Sequence, residues 1–221
     1  MTSKWVGSEG SYLTLEAFDQ LIGDGLDLNG SPSELMSVPQ VAKDYGLGSL
    51  TVKRDDLINS LCGGTKVRKL NYLLADGRFK KAATWHAVGS IGSGNLVTLT
   101  RFAEHLGKRL EIHCFGVPIT EGTTENLSQL VMDHVNIRYY PNRIDLCFGL
   151  ASYFVGQMSQ VILPTGSTNG DGMLGLVRAG IELSDQIRAG DCPKPDEVYV
   201  PLGSGGITAG LAVGLALGGT D

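Results

Sequence analysis

Hydrophobic and polar positions follow two periods along most of the chain, one typical of strands and one typical of helices. From about residue 49 onward, short apolar runs such as 84–88 alternate with longer segments such as 94–106, in which apolar residues recur every three or four positions. An alternation of strands and helices is typical of βαβ units with right-handed crossovers and a largely parallel sheet. The pattern therefore predicts an α/β protein.

The predicted elements follow one another with short connections, and the first 48 residues are the least regular part. The predicted strands are 50–53, 84–88, 110–115, 136–140, 161–163 and 197–201. The predicted helices are 15–22, 38–44, 65–76, 94–106, 123–133, 144–158, 172–189 and 205–217.

Composition and charge narrow the class of protein. The chain has 221 residues, of which 42% are apolar and 19% charged, with a net charge of -5 and a pI near 5.4. These values are typical of a globular protein with one large or two small domains, and they argue against a nucleic-acid partner. The longest apolar stretch, 207–217, is too short to span a bilayer, and no secretory leader pattern opens the chain. We therefore expect a cytoplasmic protein with small-molecule partners and no membrane contact.

Four glycine-rich loops follow predicted strands, at 61–66, 89–95, 164–172 and 202–208. Ligands of parallel α/β sheets bind beyond the carboxyl ends of the strands, so these loops are the places to look for a site. The four cysteines lie far apart without a C-x-x-C pair, and the four histidines have no metal-binding spacing. We therefore expect no metal site.

Lys66 stands at the start of a predicted helix, directly after the glycines at 63–64. A lysine there lies close to backbone N–H groups without intrahelical partners. The neighbouring cations Arg68 and Lys69 should lower its proton affinity and favour the neutral amine that attacks carbonyl groups, as in Schiff-base chemistry. The alternative is a basic, solvated first turn with a glycine hinge, and the segment alone leaves both interpretations open.

The loop that begins at Gly203 leads directly into an apolar helix. Several backbone N–H groups and the positive end of the helix dipole converge there, which favours an anion such as phosphate. The loop is not a Walker loop, because no Gly-Lys-Ser/Thr sequence closes it. It is not a dinucleotide fingerprint either, because Thr208 stands where the last glycine would be. A plain glycine turn is the alternative. The loop at 89–95 could hold a carboxylate, whereas 164–169 is more typical of a polar turn.

Five blocks in this order resemble a known family. They are V-K-R-D-D-L, G-G-T-K-V-R-K-L-N-Y-L-L-A-D, G-S-I-G-S-G-N, L-P-T-G-S-T-N-G-D-G-M-L-G-L-V-R-A-G-I-E-L and G-S-G-G-I-T-A-G-L. From about Ser33 to its end the chain resembles the D-cysteine desulfhydrase and 1-aminocyclopropane-1-carboxylate deaminase family. These pyridoxal-phosphate enzymes have the tryptophan synthase β-like fold, also called fold type II.

The resemblance implies a role for residues in three of the blocks. Lys66 matches the lysine that forms the Schiff base with pyridoxal 5'-phosphate, and it would act as the acid and base once substrate replaces it. Lys69 matches a second lysine near the cofactor phosphate. Ser93 matches the serine of the family's Q-S-N block, which faces the substrate and its carboxylate. The phosphate-holding loop matches Gly203, Ser204, Gly205, Gly206 and Thr208.

This chain departs from the family pattern at several of these positions. Thr65 replaces the usual Asn before the lysine, and Gly92 and Gly94 replace the Gln and Asn of Q-S-N. The Asn normally touches the ring hydroxyl of the cofactor, and Asn95 is the substitute that we expect here. Ile207 replaces a Thr of the phosphate loop, so one hydroxyl contact to the phosphate is lost unless the adjacent Thr208 supplies it.

The resemblance implies two three-layer α/β domains with mostly parallel sheets. The larger cofactor domain would comprise 1–69 and 159–221 and would be incomplete, because the family continues beyond the point where this chain ends. The smaller inserted domain would comprise 70–158. The expected function is a lyase or deaminase that converts a small amino acid, such as D-cysteine or 1-aminocyclopropane-1-carboxylate, to a 2-oxo acid with release of ammonia. A homodimer is also implied.

Two other interpretations stay open on the sequence alone. The altered Q-S-N block and the incomplete domain are compatible with a fragment or a non-catalytic relative that binds pyridoxal phosphate. An unrelated α/β protein that binds a phosphate ligand is the other alternative.

Overall fold

A computed structural model describes residues 12–23, 25–28, 30, 32–155 and 161–220. The helices are α1 (Leu15–Ile22), α2 (Pro39–Asp44), α3 (Thr65–Leu73), α4 (Gly77–Lys81), α5 (Gly94–His105), α6 (Glu121–Ser128), α7 (Arg143–Phe154), α8 (Gly170–Ala189) and α9 (Gly206–Leu217). The strands are β1 (Leu35–Ser37), β2 (Thr51–Lys53), β3 (Thr84–Ser90), β4 (Arg109–Phe115), β5 (Val135–Tyr140) and β6 (Ile162–Leu163). Two short 3-10 turns occupy Asp55–Leu57 and Thr165–Ser167.

The chain forms two compact units. The first comprises residues 1–72 and 170–221, and the second comprises residues 73–169. The second unit therefore extends beyond residue 158, where the sequence placed the end of the smaller domain. The difference arises because β6 pairs with β3 and so belongs to the sheet of the second unit.

The second unit contains the parallel sheet that the hydrophobic pattern predicts. Its strand order is β5-β4-β3-β6, and each neighbouring pair is parallel. The chain runs outward from β3 through β4 to β5 and then returns to the other side of β3 to form β6. The direction of winding therefore reverses between β3 and β6, and such a switch point is where ligands bind in open α/β sheets.

The core of the second unit forms where α5 packs on the sheet. Leu96, Leu99 and Phe102 lie on one face of α5 at the spacing that the sequence pattern predicts, and all three are buried. Gly89 in β3 permits a close approach, because a Cβ there would lie 3.2 Å from the side chain of Leu96. The close packing fixes α5 against the strand that precedes it.

The first unit is built on close packing between α8 and α9. A Cβ at Gly214 would lie 2.1 Å from the carbonyl oxygen of Val177, and a Cβ at Gly210 would lie 2.5 Å from the Cβ of Leu176. Only glycine allows the two helix backbones to approach this closely. On another side of α8, Phe18 and Ile181 form a buried apolar cluster with Tyr72.

Some predicted elements are wrong, and others have different ends. Residues 197–201 form no strand, since no described segment pairs with them and the Tyr199 side chain is 75% exposed. Helix α3 ends before Asp76 because the Asp76 carboxylate accepts a hydrogen bond from Arg78 N and caps α4. The sequence did not predict β1, which is only three residues long and pairs antiparallel with β2.

The helices of the described residues include none with both the length and the apolar character needed to cross a membrane.

Candidate functional site

Lys66 lies in the first turn of α3, in the first unit. The preceding loop needs glycine twice: a Cβ at Gly63 would lie 1.8 Å from the carbonyl oxygen of Asp56, and Gly64 has a φ of +94°. Gly64 N donates a 2.7 Å hydrogen bond to the carbonyl oxygen of Asp55. The loop is thereby held against residues 55–56, and α3 begins with Lys66 as its second residue.

Lys69 lies one turn further along α3 and is only 7% exposed. Burial lowers the pKa of Lys69, and the charge of the nearby Lys66 lowers it further. Arg68 is fully buried. A solvated basic turn is therefore the wrong interpretation of residues 66–69, because two of its three cations are inside the protein.

The Arg68 guanidinium points to two carboxylates rather than to the lysines. Its Nε donates to Asp55 Oδ2 at 2.8 Å, and its Nη1 donates to Glu182 Oε2 at 3.0 Å. Burial alone would lower the pKa of Arg68, but the hydrogen bonds to both carboxylates raise it above its ordinary value. Arg68 was predicted to act as a neighbouring cation on Lys66, but its charge is paired here with Asp55 and Glu182.

Further polar groups of the first unit complete this network around Glu182. Lys53 Nζ donates to Glu182 Oε1 and to Gln186 Oε1, each at 2.6 Å. Ser33 N donates to Glu182 Oε1 at 3.0 Å. We call these six residues the Arg68 network: Ser33, Lys53, Asp55, Arg68, Glu182 and Gln186. It joins α3, which carries the two lysines, to α8 and to the segment around Asp55 that leads into the glycines at 63–64.

The amino end of α9 forms a cradle beside Lys69. Gly205 adopts a left-handed conformation with φ +81°, and α9 begins at Gly206. A Cβ at Gly206 would lie 3.7 Å from Lys69 Nζ and 3.7 Å from Ser204 Oγ. Because Gly206 has no side chain, it leaves space bordered by the Met173 thioether at 3.4 Å, an ammonium group, a hydroxyl and the N–H groups of a helix terminus. These groups suit a phosphate.

The structure brings the predicted phosphate-binding residues Lys69, Ser204 and Gly206 together, with Lys66 close to Lys69. Gly203 and Thr208 lie within two residues of this group along the chain, and both are exposed. Nothing lies within 4 Å of the position that a Cβ would take at Gly203. The contacts of these two residues with a phosphate stay predictions.

Ser93 and Asn95 lie in the second unit, at the start of α5. Ser93 caps this helix, because its Oγ accepts a 3.3 Å hydrogen bond from Asn95 N. The hydroxyl proton of Ser93 can still be donated to a ligand. Asn95 is only 3% exposed, and its Oδ1 accepts a 2.9 Å hydrogen bond from Ser167 Oγ.

The preceding turn explains why this chain has glycine where the family's block has Gln. Gly92 has a φ of +73°, and a Cβ there would lie 2.7 Å from the carbonyl oxygen of Thr123 in α6. Asn126 of α6 also donates a 2.8 Å hydrogen bond to the carbonyl oxygen of Gly92. Helix α6 therefore occupies the space that a side chain at this position would need.

Sequence reasoning missed the Arg68 network and Ser167. Arg68, Asp55 and Glu182 all lie inside the quoted blocks, but a sequence does not show which charges are buried together. Ser167 belongs to the segment that we assigned to a polar turn. Its position directly after a strand at the switch point was the available signal.

Comparisons with known proteins identify the family of this chain. Residues 26–221 match the family model described as pyridoxal-phosphate dependent enzyme. The chain belongs to this family. It is 30% identical over 208 residues to a D-cysteine desulfhydrase of Klebsiella pneumoniae, covering 86% of this chain and 60% of that protein. A D-cysteine desulfhydrase of Salmonella paratyphi B is also 30% identical, over 207 residues. The chain spans 60% of the length of these relatives.

Two solved structures show the same fold. An ACC deaminase homologue matches with a TM-score of 0.74 and 26% identity, covering 96% of this chain and 64% of that one. The apo form of Escherichia coli diaminopropionate ammonia lyase matches with a TM-score of 0.67 and 15% identity, covering 95% of this chain and 63% of that one. The predicted tryptophan synthase β-like fold is confirmed, with this chain covering part of it.

The residues of the first unit fit the family's cofactor, pyridoxal phosphate. The space at Gly206, beside Lys69 Nζ and Ser204 Oγ, suits its phosphate. Lys66, one turn away on the same helix, would supply the amine for its aldehyde.

Proposed function

We propose that this chain forms the cofactor-binding part of a pyridoxal-phosphate lyase or deaminase. The enzyme releases ammonia from a small amino acid and yields a 2-oxo acid. The observation that carries the proposal is that Lys69 Nζ lies beside Gly206 at the amino end of α9. Lys66 precedes Lys69 by three residues on the same helix, α3. A phosphate-binding group and an amine nucleophile are thereby built into one short helix.

Each of these residues has a distinct task. Ser204, Gly205, Gly206 and Lys69 hold the phosphate, and Lys66 binds the aldehyde carbon. Pyridoxal phosphate, when bound, supplies an electron sink for the carbanion of the substrate. The released amine of Lys66 would move a proton at the Cα of a substrate such as D-cysteine. The Cα of 1-aminocyclopropane-1-carboxylate carries no hydrogen, so with that substrate the amine would move a proton at a neighbouring ring carbon instead.

The substrate proposal follows from the relatives, whose names specify D-cysteine and 1-aminocyclopropane-1-carboxylate. In both cases one amino acid and one water give one 2-oxo acid and one ammonia, and a β-thiol leaves in addition as hydrogen sulfide. The ligand groups of Ser93 and Asn95 suit the carboxylate that all such substrates share.

Visible absorbance tests cofactor binding, and product release tests the reaction. Adding pyridoxal phosphate should produce the absorbance of the lysine-bound cofactor in the wild-type chain and in Lys81→Ala, but not in Lys66→Ala. Ammonia and sulfide release should then be measured with D- and L-amino acids and with 1-aminocyclopropane-1-carboxylate. Absence of the lysine-bound absorbance in the wild-type chain contradicts the proposal.

A second candidate is a protein that binds pyridoxal phosphate without catalysing a lyase reaction. The packing of Gly92 against Thr123 favours it, because a ligand contact from a side chain at residue 92 is impossible without moving α6. Cofactor absorbance without ammonia release from any substrate of the panel supports this candidate. Membership of the pyridoxal-phosphate family contradicts the third interpretation, an unrelated phosphate-binding protein.

We further propose a cytoplasmic homodimer. The four cysteines Cys62, Cys114, Cys147 and Cys192 are free thiols, which suits a reducing compartment. The homodimer rests on the resemblance alone, and sedimentation equilibrium of the purified chain tests it.

A further inference from the structure

The Asn95 side-chain amide is buried with one of its two polar atoms unsatisfied. Its Oδ1 accepts the hydrogen bond from Ser167, whereas its Nδ2 has no hydrogen-bond partner among the described residues. Buried amide groups are nearly always hydrogen-bonded, because losing water without a replacement costs free energy. An unsatisfied donor in a native protein therefore calls for an explanation, and a bound ligand with an oxygen acceptor provides one.

The location of this amide supports a ligand. Asn95 follows β3 and Ser167 follows β6, and these two strands are neighbours in the parallel sheet. The direction of winding reverses between them, so their hydrogen bond lies at the switch point of the second unit. Ligands of open α/β sheets bind at this point, beyond the carboxyl ends of the strands.

The backbone of Ser167 adds a third observation. Ser167 is fully buried and has a φ of +54°, in the left-handed region that favours glycine. Gly166 before it also has a positive φ, of +66°. A side chain that is retained in a strained conformation points to a task for that side chain. The contact that Ser167 Oγ makes is the hydrogen bond to Asn95 Oδ1.

We infer that Ser167 is a positioning residue for Asn95. Its hydroxyl donates to Oδ1 and fixes the orientation of the amide, so that both Nδ2 protons are presented to an oxygen acceptor of a bound ligand. The inference rests on the proposed function, in which this acceptor is either the ring oxygen of pyridoxal phosphate or the carboxylate of the amino-acid substrate.

Four proteins test this inference: the wild-type chain, Ser167→Gly, Asn95→Ala and the double variant. Glycine at residue 167 removes the hydroxyl and relieves the backbone strain, which offsets part of the cost of leaving Asn95 Oδ1 unsatisfied, so the melting temperature of Ser167→Gly should change by only a few degrees. Thr168→Val is the matched control, because it removes a hydroxyl of the same loop, one that donates a 3.2 Å hydrogen bond to the carbonyl oxygen of Gly166.

Two titrations distinguish the two possible acceptors, the ring oxygen of the cofactor and the carboxylate of the substrate. The first follows lysine-bound absorbance against the concentration of pyridoxal phosphate. The second follows the change of that absorbance when D- or L-alanine is added to the loaded protein. If the acceptor is the ring oxygen, Asn95→Ala and Ser167→Gly should each weaken the affinity for pyridoxal phosphate by about fivefold to tenfold. If the acceptor is the carboxylate, the two variants should instead weaken the affinity for alanine by about the same factor. Thr168→Val should change neither affinity more than about twofold.

The double variant gives the decisive comparison. If Ser167 acts through Asn95, Ser167→Gly changes neither affinity by more than about twofold once Asn95 is alanine. Additive losses, or no loss in Ser167→Gly, overturn the inference while the proposed function stands. Absence of lysine-bound absorbance in the wild-type chain overturns both.

Discussion

The Arg68 guanidinium binds both carboxylate oxygens of Glu182, each at 3.0 Å, inside the first unit. Arg68 is fully buried, and Glu182 is 1% exposed. The pair joins α3 to α8, and Gly175 of α8 packs so closely that a Cβ there would lie 1.9 Å from the carbonyl oxygen of Arg68. The helix that carries Lys66 and Lys69 is therefore fixed by a buried charge pair and by backbone contact.

Removing one charge of this pair should destabilise the fold. Glu182→Gln keeps the shape of the side chain but removes the buried negative charge that Arg68 and Lys53 share. We expect the free energy of unfolding to fall by about 3 kcal/mol in urea titrations. Glu111→Gln is the control, since the pair of Glu111 with Arg138 is partly exposed and should be worth less than about 1 kcal/mol. Equal losses in the two variants would argue against a buried pair.

Acid should weaken the same contact in a defined range of pH. Burial alone would raise the pKa of Glu182, but hydrogen bonds and charge from Arg68, and then Lys53, lower it from 4.5 to about 2. Because the folded state holds the proton less tightly than the unfolded chain, the stabilisation is complete above pH 4.5 and is lost as the pH falls towards 2. Melting temperatures across this range should fall more steeply for the wild-type chain than for Glu182→Gln. Parallel curves would contradict the lowered pKa.

The sequence predicted the alternating elements well because their pattern is local. The apolar spacing of α5 and the apolar runs of β3 and β4 depend on neighbouring residues, and the parallel pairing follows from their order. The predicted strand at 197–201 failed because a strand needs a partner, which local sequence does not show. Burial of Arg68 was missed for the same reason, since its partner Glu182 is 114 residues away in the chain.

Two stacked histidines should make the second unit sensitive to milder acid. His86 Nδ1 lies 3.4 Å from His113 Nε2, and both rings are buried. Burial, then the charges of His86 and Arg138, lower the pKa of His113 from 6.5 to about 4. The unfolded chain therefore binds the proton more tightly, and stability falls as the pH drops from 6.5 towards 4.

His113→Gln should remove much of this dependence. We expect the stability of the wild-type chain to fall by about 2 kcal/mol across the range, against a smaller fall in the variant. Urea titrations at several pH values measure the difference. His105→Gln, at an exposed position in the last turn of α5, should behave as the wild-type chain does. An unchanged slope in His113→Gln would show that this ring is not the responsible group.

The phosphate cradle can be filled without disturbing the fold. In Gly206→Ala the new methyl group would lie 3.4 Å from Met173 Sδ and 3.7 Å from Lys69 Nζ, which are ordinary contacts, so the melting temperature should not fall. The methyl group occupies space meant for phosphate, and we expect affinity for pyridoxal phosphate to drop by about tenfold or more. Pyridoxal, which lacks the phosphate, should lose much less. Gly170→Ala, at the start of α8 with nothing within 4 Å, is the control. Equal losses for the two ligands would place the phosphate elsewhere.

The attachment of the cofactor to Lys66 is the central claim. Borohydride reduction of the wild-type chain loaded with pyridoxal phosphate makes the lysine linkage permanent, and mass spectrometry of its peptides identifies the modified residue. We predict a single phosphopyridoxyl group on Lys66. The same group on Lys69 or on another lysine, or no modified peptide at all, would contradict the claim.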